Sequence, residues 1–114
     1  MENGVISDAQ IKASSQWDGR RPARNARLNF KGQGVFGWTT LRNDHNQWLQ
    51  VDLGKFYRVT GIATQGSPDG NNQWVTKYTL QYSDNGMTLH IYKEPTKAYA
   101  KVYSCRSILL YYDY

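Results

Sequence analysis

Between Gln16 and Lys31 the chain sets Arg20, Arg21, Arg24, Arg27 and Lys31 against a single carboxylate, Asp18, beside Trp17. An indole next to guanidinium groups on a loop can lodge at a lipid interface, stack on a sugar or fill a peptide groove, while the guanidinium forks hold phosphate, sulfate or carboxylate. The competing role is structural: an arginine or two pair with a carboxylate such as Asp52, and Trp17 packs inward. For catalysis the inventory is thin. His45 lies in a polar loop and His90 in a strand-like stretch, neither has a second His or Cys at ligand spacing, and there is no Gly-x-Ser-x-Gly elbow. Gly32-Gln33-Gly34-Val35-Phe36-Gly37 has the spacing of a dinucleotide loop, but no apolar strand precedes it and no helix pattern follows, so it reads as a turn. Asp69-Gly70-Asn71-Asn72-Gln73 fails as a calcium loop, because Trp74 and Leu80 stand where Gly and Glu are needed. The expectation is a binder with no catalytic residue, no metal and no cofactor.

The elements that must position these residues are strands. Leu49, Val51 and Leu53 alternate with Gln50 and Asp52 up to Gly54, and Tyr57–Thr64 is β-rich without helical spacing. Trp74, Tyr78, Leu80 and Tyr82 share one parity of a strand that stops at Ser83-Asp84-Asn85-Gly86, with Thr88–Tyr92 as its return. Nine Tyr, four Trp, three Phe and ten Gly suit a pleated, turn-rich architecture, and no stretch reads as a helix. Polar segments at Ser14–Asn25, Lys31–Gly37, Thr39–Gln47 and Gly66–Gln73 separate the strands, which points to an all-β sandwich or barrel whose loops carry function.

With 114 residues the chain has room for one domain, and no apolar run approaches the roughly 18 residues of a membrane-spanning helix. Met1–Asp8 lacks the basic start and apolar core of a secretory signal. A net charge of +5 favours anionic partners. Most aromatics fall on the inward parity of strands, so a nucleic-acid partner is not expected. The single Cys105 excludes an internal disulfide and leaves either a free thiol or half of a bridge to another molecule.

Ala13-Ser14-Ser15-Gln16-Trp17, Ala26-Arg27-Leu28-Asn29, Gln47-Trp48-Leu49-Gln50-Val51-Asp52-Leu53-Gly54, Val59–Gly66 and Trp74–Gly86 resemble, in order and spacing, the coagulation factor V/VIII type C domain, also called the discoidin domain. The resemblance covers residues 1–103. It implies a distorted jelly-roll β-sandwich of antiparallel sheets, with loops at one end acting as spikes that bind anionic phospholipid, collagen, receptors, peptide C-termini or galactose-type sugars. Carried onto this sequence, the first spike is Gln16–Pro22 with Trp17, Asp18, Arg20 and Arg21. The second is Trp38–Asn46 with Thr39, Arg42, Asn43 and Asp44, and the third is Gly66–Gln73 with Ser67, Asp69, Asn71 and Asn72. The third spike has no Leu, Phe or Trp before Trp74, so the balance tilts toward a cell-surface or matrix protein or a glycan, with Trp17 as a stacking platform and an anionic membrane surface as the other option. Such a module belongs outside the cell as part of a larger parent. The alternative is the carbohydrate-binding accessory module of a secreted enzyme, whose catalytic domain would lie outside these residues.

The chain also departs from the family pattern. The bracketing cysteines and the closing Arg-Tyr-Ile-Arg-like and Arg-x-Glu-like blocks are absent, and Leu89 stands where many members have Trp. Ser104–Tyr114 takes the place of the closing blocks, so the closing strands are expected to be missing or replaced. This out-of-family tail either supplies a substitute strand or is the end of a truncated or misassembled reading frame, and the second is the expectation, the chain being a fragment of a larger extracellular protein.

Overall fold

The computed structural model describes residues 5–30, 37–67, 72–93 and 104–112. Among the described residues five strands, β1 (Ile11–Ala13), β2 (Gln47–Arg58), β3 (Tyr78–Ser83), β4 (His90–Ile91) and β5 (Ser104–Tyr112), form one antiparallel sheet in the order β1-β2-β5-β3-β4. Helical structure among the described residues is limited to two single-turn 3-10 segments, Asp8–Gln10 and Ala23–Ala26.

The alternation read in β2 sets the core. Leu49 and Val51 are buried, and their register partners Leu110 and Ile108 lead on to Leu80 and Tyr82 of β3, so these side chains share one face of the sheet. Over β1 and β2 that face is closed by Ile6, Ile11, Ala23, Ala26 and Trp38. Toward β3 and β4 it opens: Leu80, Tyr82 and Ile108 are half-buried, and Tyr78 and His90 are exposed.

Ser104–Tyr112, the segment that departs from the family pattern, is the central strand of the sheet, paired to β2 on one side and β3 on the other. Its alternation is the reason: Ile108 and Leu110 turn to the core face, while Cys105 and Ser107 are buried on the other. Its described limits coincide with the ends of its neighbours' ladders. The strand expected from Trp74 starts only at Tyr78, which faces Tyr112, the last residue of β5. Residues 74–77 therefore have no described strand alongside, and Trp74 is 63% exposed. Likewise β2 stops at Arg58, opposite Ser104, and Val59–Thr64 lies outside the ladder. The expected return at Thr88–Tyr92 shortens to β4, extended by the Tyr92 amide donating to the Leu80 carbonyl at 2.8 Å.

Within β2 the register jumps between Asp52 opposite Ser107 and Tyr57 opposite Cys105, so residues 53–56 stand against Arg106 alone. Gly54 makes the excursion possible with φ +75°, a conformation an L side chain resists, and its amide donates to Asp52 Oδ1 at 2.8 Å. Met1–Gly4 and most of the Gly32–Gly37 turn motif fall outside the described residues.

Candidate functional site

Where β1 and β2 end, the Ser14 amide donates to the Trp48 carbonyl at 3.0 Å, and beyond that point the first loop departs. It does not hang free. The Trp17 amide donates to the Thr39 carbonyl at 2.8 Å, Trp38 Nε1 donates to the Ser15 carbonyl at 2.9 Å, and the Leu41 amide donates to Ser15 Oγ at 3.1 Å. Arg21 Nη1 adds a bond to Thr39 Oγ1 at 3.1 Å. The first and second spikes are thus stitched together through main chain as well as side chains.

The tip of the first loop is a tight turn organised by Asp18. Its Oδ1 accepts from the Arg20 amide at 2.9 Å, its carbonyl accepts from the Arg21 amide at 3.1 Å, and its Oδ2 takes Arg20 Nε and Nη2 at 3.1 and 2.9 Å. The Arg20 bonds, side chain first and main chain second, hold the Asp18 carboxyl below its ordinary range. Asn25 Nδ2 closes the base of the turn on the Arg20 carbonyl at 2.9 Å. Trp17, held in this frame, is 59% exposed.

The second loop is fixed from below. Asp44 Oδ1 accepts from Gln47 Nε2 at 2.7 Å and from the Asn46 amide at 3.0 Å, and these bonds lower its pKa in that order of weight. Gln47 Oε1 accepts from Ser14 Oγ at 2.8 Å and from Ser15 Oγ at 2.6 Å.

Of the residues expected to bind, Trp17, Asp18, Arg20, Arg21, Thr39, Arg42, Asn43 and Asp44 lie on these two cross-bonded loops. Arg20, Arg42 and Asn43 are exposed, and Asp18, Arg21, Thr39 and Asp44 are half-buried. In the third loop Ser67 closes the neck, its amide donating to the Gln73 carbonyl at 2.8 Å, and Asn72 is exposed. Asp69 and Asn71 lie outside the described residues. Arg27 pairs with Asp8 at 2.7 Å, and Asp52 Oδ1 accepts the Gly54 amide at 2.8 Å.

Two residues of this site escape the sequence-based choice. Leu41 is 50% exposed on the second loop, and its only sequence signal is an isolated Leu between Thr40 and Arg42. Gln47 is buried, and its signal is an amide on the same strand parity as Leu49 and Val51. No group of three or more His, Cys, Asp or Glu among the described residues is placed to hold a metal ion, and no helix there is long and apolar enough to cross a membrane. The two loops therefore carry an exposed Trp17 and an exposed Leu41 together with exposed cations and hydrogen-bonding groups.

Comparison with known proteins agrees with this architecture. The family model of the F5/8 type C domain matches residues 10–105. Coagulation factor V of Sus scrofa is 41% identical over 109 residues, spanning 90% of this chain and 5% of that protein. Among solved structures, recombinant discoidin II of Dictyostelium discoideum superposes with a TM-score of 0.80 at 20% identity, over 96% of this chain and 50% of that one. The family 32 CBM from C. perfringens NanJ, solved in complex with galactose, gives 0.67 at 22% identity, over 97% and 84%. The two structures share the all-β discoidin-like fold, and the family-model match over residues 10–105 establishes that this chain belongs to the F5/8 type C domain family.

Proposed function

We propose that this domain is a non-catalytic extracellular recognition module that docks onto anionic phospholipid surfaces through its first two spikes. The observation that carries this reading is the exposure of Trp17 and Leu41 on loops bonded to each other. Their uncovered area is on the order of 200 Å², and at about 25 cal/mol per Å² its removal from water is worth roughly 5 kcal/mol. Exposed Arg42 and Arg24 add about 1 kcal/mol each near a negative surface. Because the loops are already cross-bonded, little ordering entropy opposes docking. A polar third loop alone favours a protein or glycan; Leu41 on the second loop shifts the balance to lipid. The domain is taken as residues 1–103, with 104–114 as an appended segment of which Ser104–Tyr112 forms the central strand.

The test is co-sedimentation with phosphatidylcholine vesicles, with and without phosphatidylserine, using the wild type and the Trp17→Ala and Leu41→Ala variants. Binding that requires phosphatidylserine and is lost in both variants, with melting unchanged, supports lipid docking. Equal binding to the neutral vesicles, or full retention in both variants, overturns it.

A second reading is a glycan stacked on Trp17. It is favoured by the Asp18–Arg20 pair beside the indole, which offers an acceptor and donors to sugar hydroxyls, and by the likeness to a fold solved with galactose. Quenching of Trp17 fluorescence by free galactose, absent in Trp17→Phe, identifies it.

A further inference from the structure

We infer that Gln47 is the positioning residue of the two-spike site, the side chain that sets where Leu41 stands relative to Trp17. This rests on the proposal that Trp17 and Leu41 insert together.

The chain of bonds is directional. The Leu41 amide donates to Ser15 Oγ at 3.1 Å, and the Trp48 amide donates to Ser14 Oγ at 3.0 Å. Each serine hydroxyl then has one proton to give, and both protons go to Gln47 Oε1, at 2.6 and 2.8 Å. On its other side Gln47 Nε2 donates to Asp44 Oδ1 at 2.7 Å, the oxygen that also receives the Asn46 amide. The first loop therefore hangs on the oxygen of one side chain and the second loop on its nitrogen, and Leu41 is tied to both through Ser15.

Only a primary amide meets this demand, because it supplies an acceptor and a donor from the same end group. A glutamate accepts from the serines but presents a carboxylate to Asp44; leucine or methionine does neither. Gln47 is 6% exposed, so water does not stand in for a lost partner. It projects on the parity of Leu49 and Val51, where an alternating strand otherwise buries an apolar side chain. The burial of an amide there is accounted for by the two loops it joins. Gln47 meets the carboxylate of Asp44, on which Arg42 and His45 of the same loop also act.

The test uses Gln47→Glu, Gln47→Leu and Ser15→Ala in the full chain, read by amide hydrogen exchange and by binding to phosphatidylcholine vesicles containing about 20 mol% phosphatidylserine. At about pH 7.5 all three are expected to speed exchange of the Leu41 amide at least tenfold. Both Gln47 variants are expected to weaken vesicle binding at least tenfold, with Leu49 and Val51 amides still protected. Near pH 5.5 the glutamate, its pKa raised by burial and by Asp44, takes up a proton and donates to Asp44 again, so Gln47→Glu is expected to recover relative to wild type while Gln47→Leu does not. Trp17→Ala is expected to lose binding at both pH values with Leu41 exchange unchanged, which separates failure of the lipid reading from failure of the positioning role. If Gln47 variants unfold, Ser15→Ala decides alone through vesicle binding as well as exchange, since it removes the hydroxyl that joins Leu41 to Gln47 and leaves the Ser14–Gln47 and Gln47–Asp44 bonds in place. Unchanged Leu41 exchange in Ser15→Ala, or wild-type exchange and binding in Gln47→Glu, overturns the inference even if no vesicle binds.

Discussion

The main-chain amide of Trp17 donates to the carbonyl of Thr39 at 2.8 Å, so the indole at the tip of the first loop is anchored to the second loop by backbone that no side-chain substitution removes. Its exposure is therefore a held position. A held, exposed ring costs little stability to delete, and what it does contribute appears only when a ligand covers it.

Trp17→Phe should accordingly abolish the blue shift in tryptophan emission that accompanies vesicle binding, while the thermal midpoint moves by an amount equivalent to about 0.5 kcal/mol or less. Trp74 is also exposed but follows the third loop, beside Gly66 at its neck, and is not part of the first two loops, so Trp74→Phe should leave the shift intact. A shift that survives Trp17→Phe and disappears in Trp74→Phe would move the docking surface off the first two spikes.

The core is uneven across the sheet, and mutational cost should follow it. Leu49→Ala removes a side chain packed among Ile6, Ile11 and Val51 and should cost about 2–5 kcal/mol in urea unfolding. Ile91→Ala, on the exposed edge strand β4, should fall within about 0.5 kcal/mol. Equal costs at the two positions would mean that the β3–β4 side of the sheet is packed as tightly as the β1–β2 side.

Much of this was legible in the residues, and the rest was hidden for physical reasons. Leu49 and Val51 announced their burial by alternation, and Ser83-Asp84-Asn85-Gly86 announced its turn: Gly86 takes φ +76° and Asn85 Oδ1 accepts the Met87 and Thr88 amides at 2.8 Å. Strand ends were not legible, because Tyr78 pairs with Tyr112 and Arg58 with Ser104, and pairing partners far apart in sequence leave no local mark. The partner of Arg27 was not legible either: Asp8 and Asp52 are equally plausible acids until the fold brings one of them within 2.7 Å. Leu41 looked like any loop residue, and Gln47 like a misplaced core position, because their roles depend on bonds between loops.

Cys105 is 2% exposed, and burial raises its thiol above the ordinary value of 9.0. A raised folded pKa leaves stability untouched below the unfolded value. As pH climbs past about 9 the unfolded chain ionises first, so stability falls from there through the folded pKa. Urea midpoints should be flat in this respect from about pH 7 to 8 and decline above about 9, with Cys105→Ala flattening the decline. A thiol reagent should label the native protein only as fast as it opens. Fast labelling under native conditions would place Cys105 at the surface.

Asp18 and Asp44 are both held below the ordinary 3.8, the first by hydrogen bonds from Arg20 and the second by those from Gln47 and Asn46. Depressed carboxylate pKa values contribute order above the unfolded value, and that contribution is lost as pH falls through the lowered folded value. Loop geometry should thus hold from about pH 8 down to about pH 4 and fail only in stronger acid, so mild acidification should not release a bound surface through these groups. Carboxyl NMR titration separates the two causes. Arg20→Ala should return the Asp18 midpoint toward 3.8 and leave Asp44 in place, and Gln47→Leu should do the reverse. If both wild-type midpoints already sit at 3.8, the Asp18–Arg20 and Asp44–Gln47 bonds are absent in solution, and neither loop is held by its carboxylate.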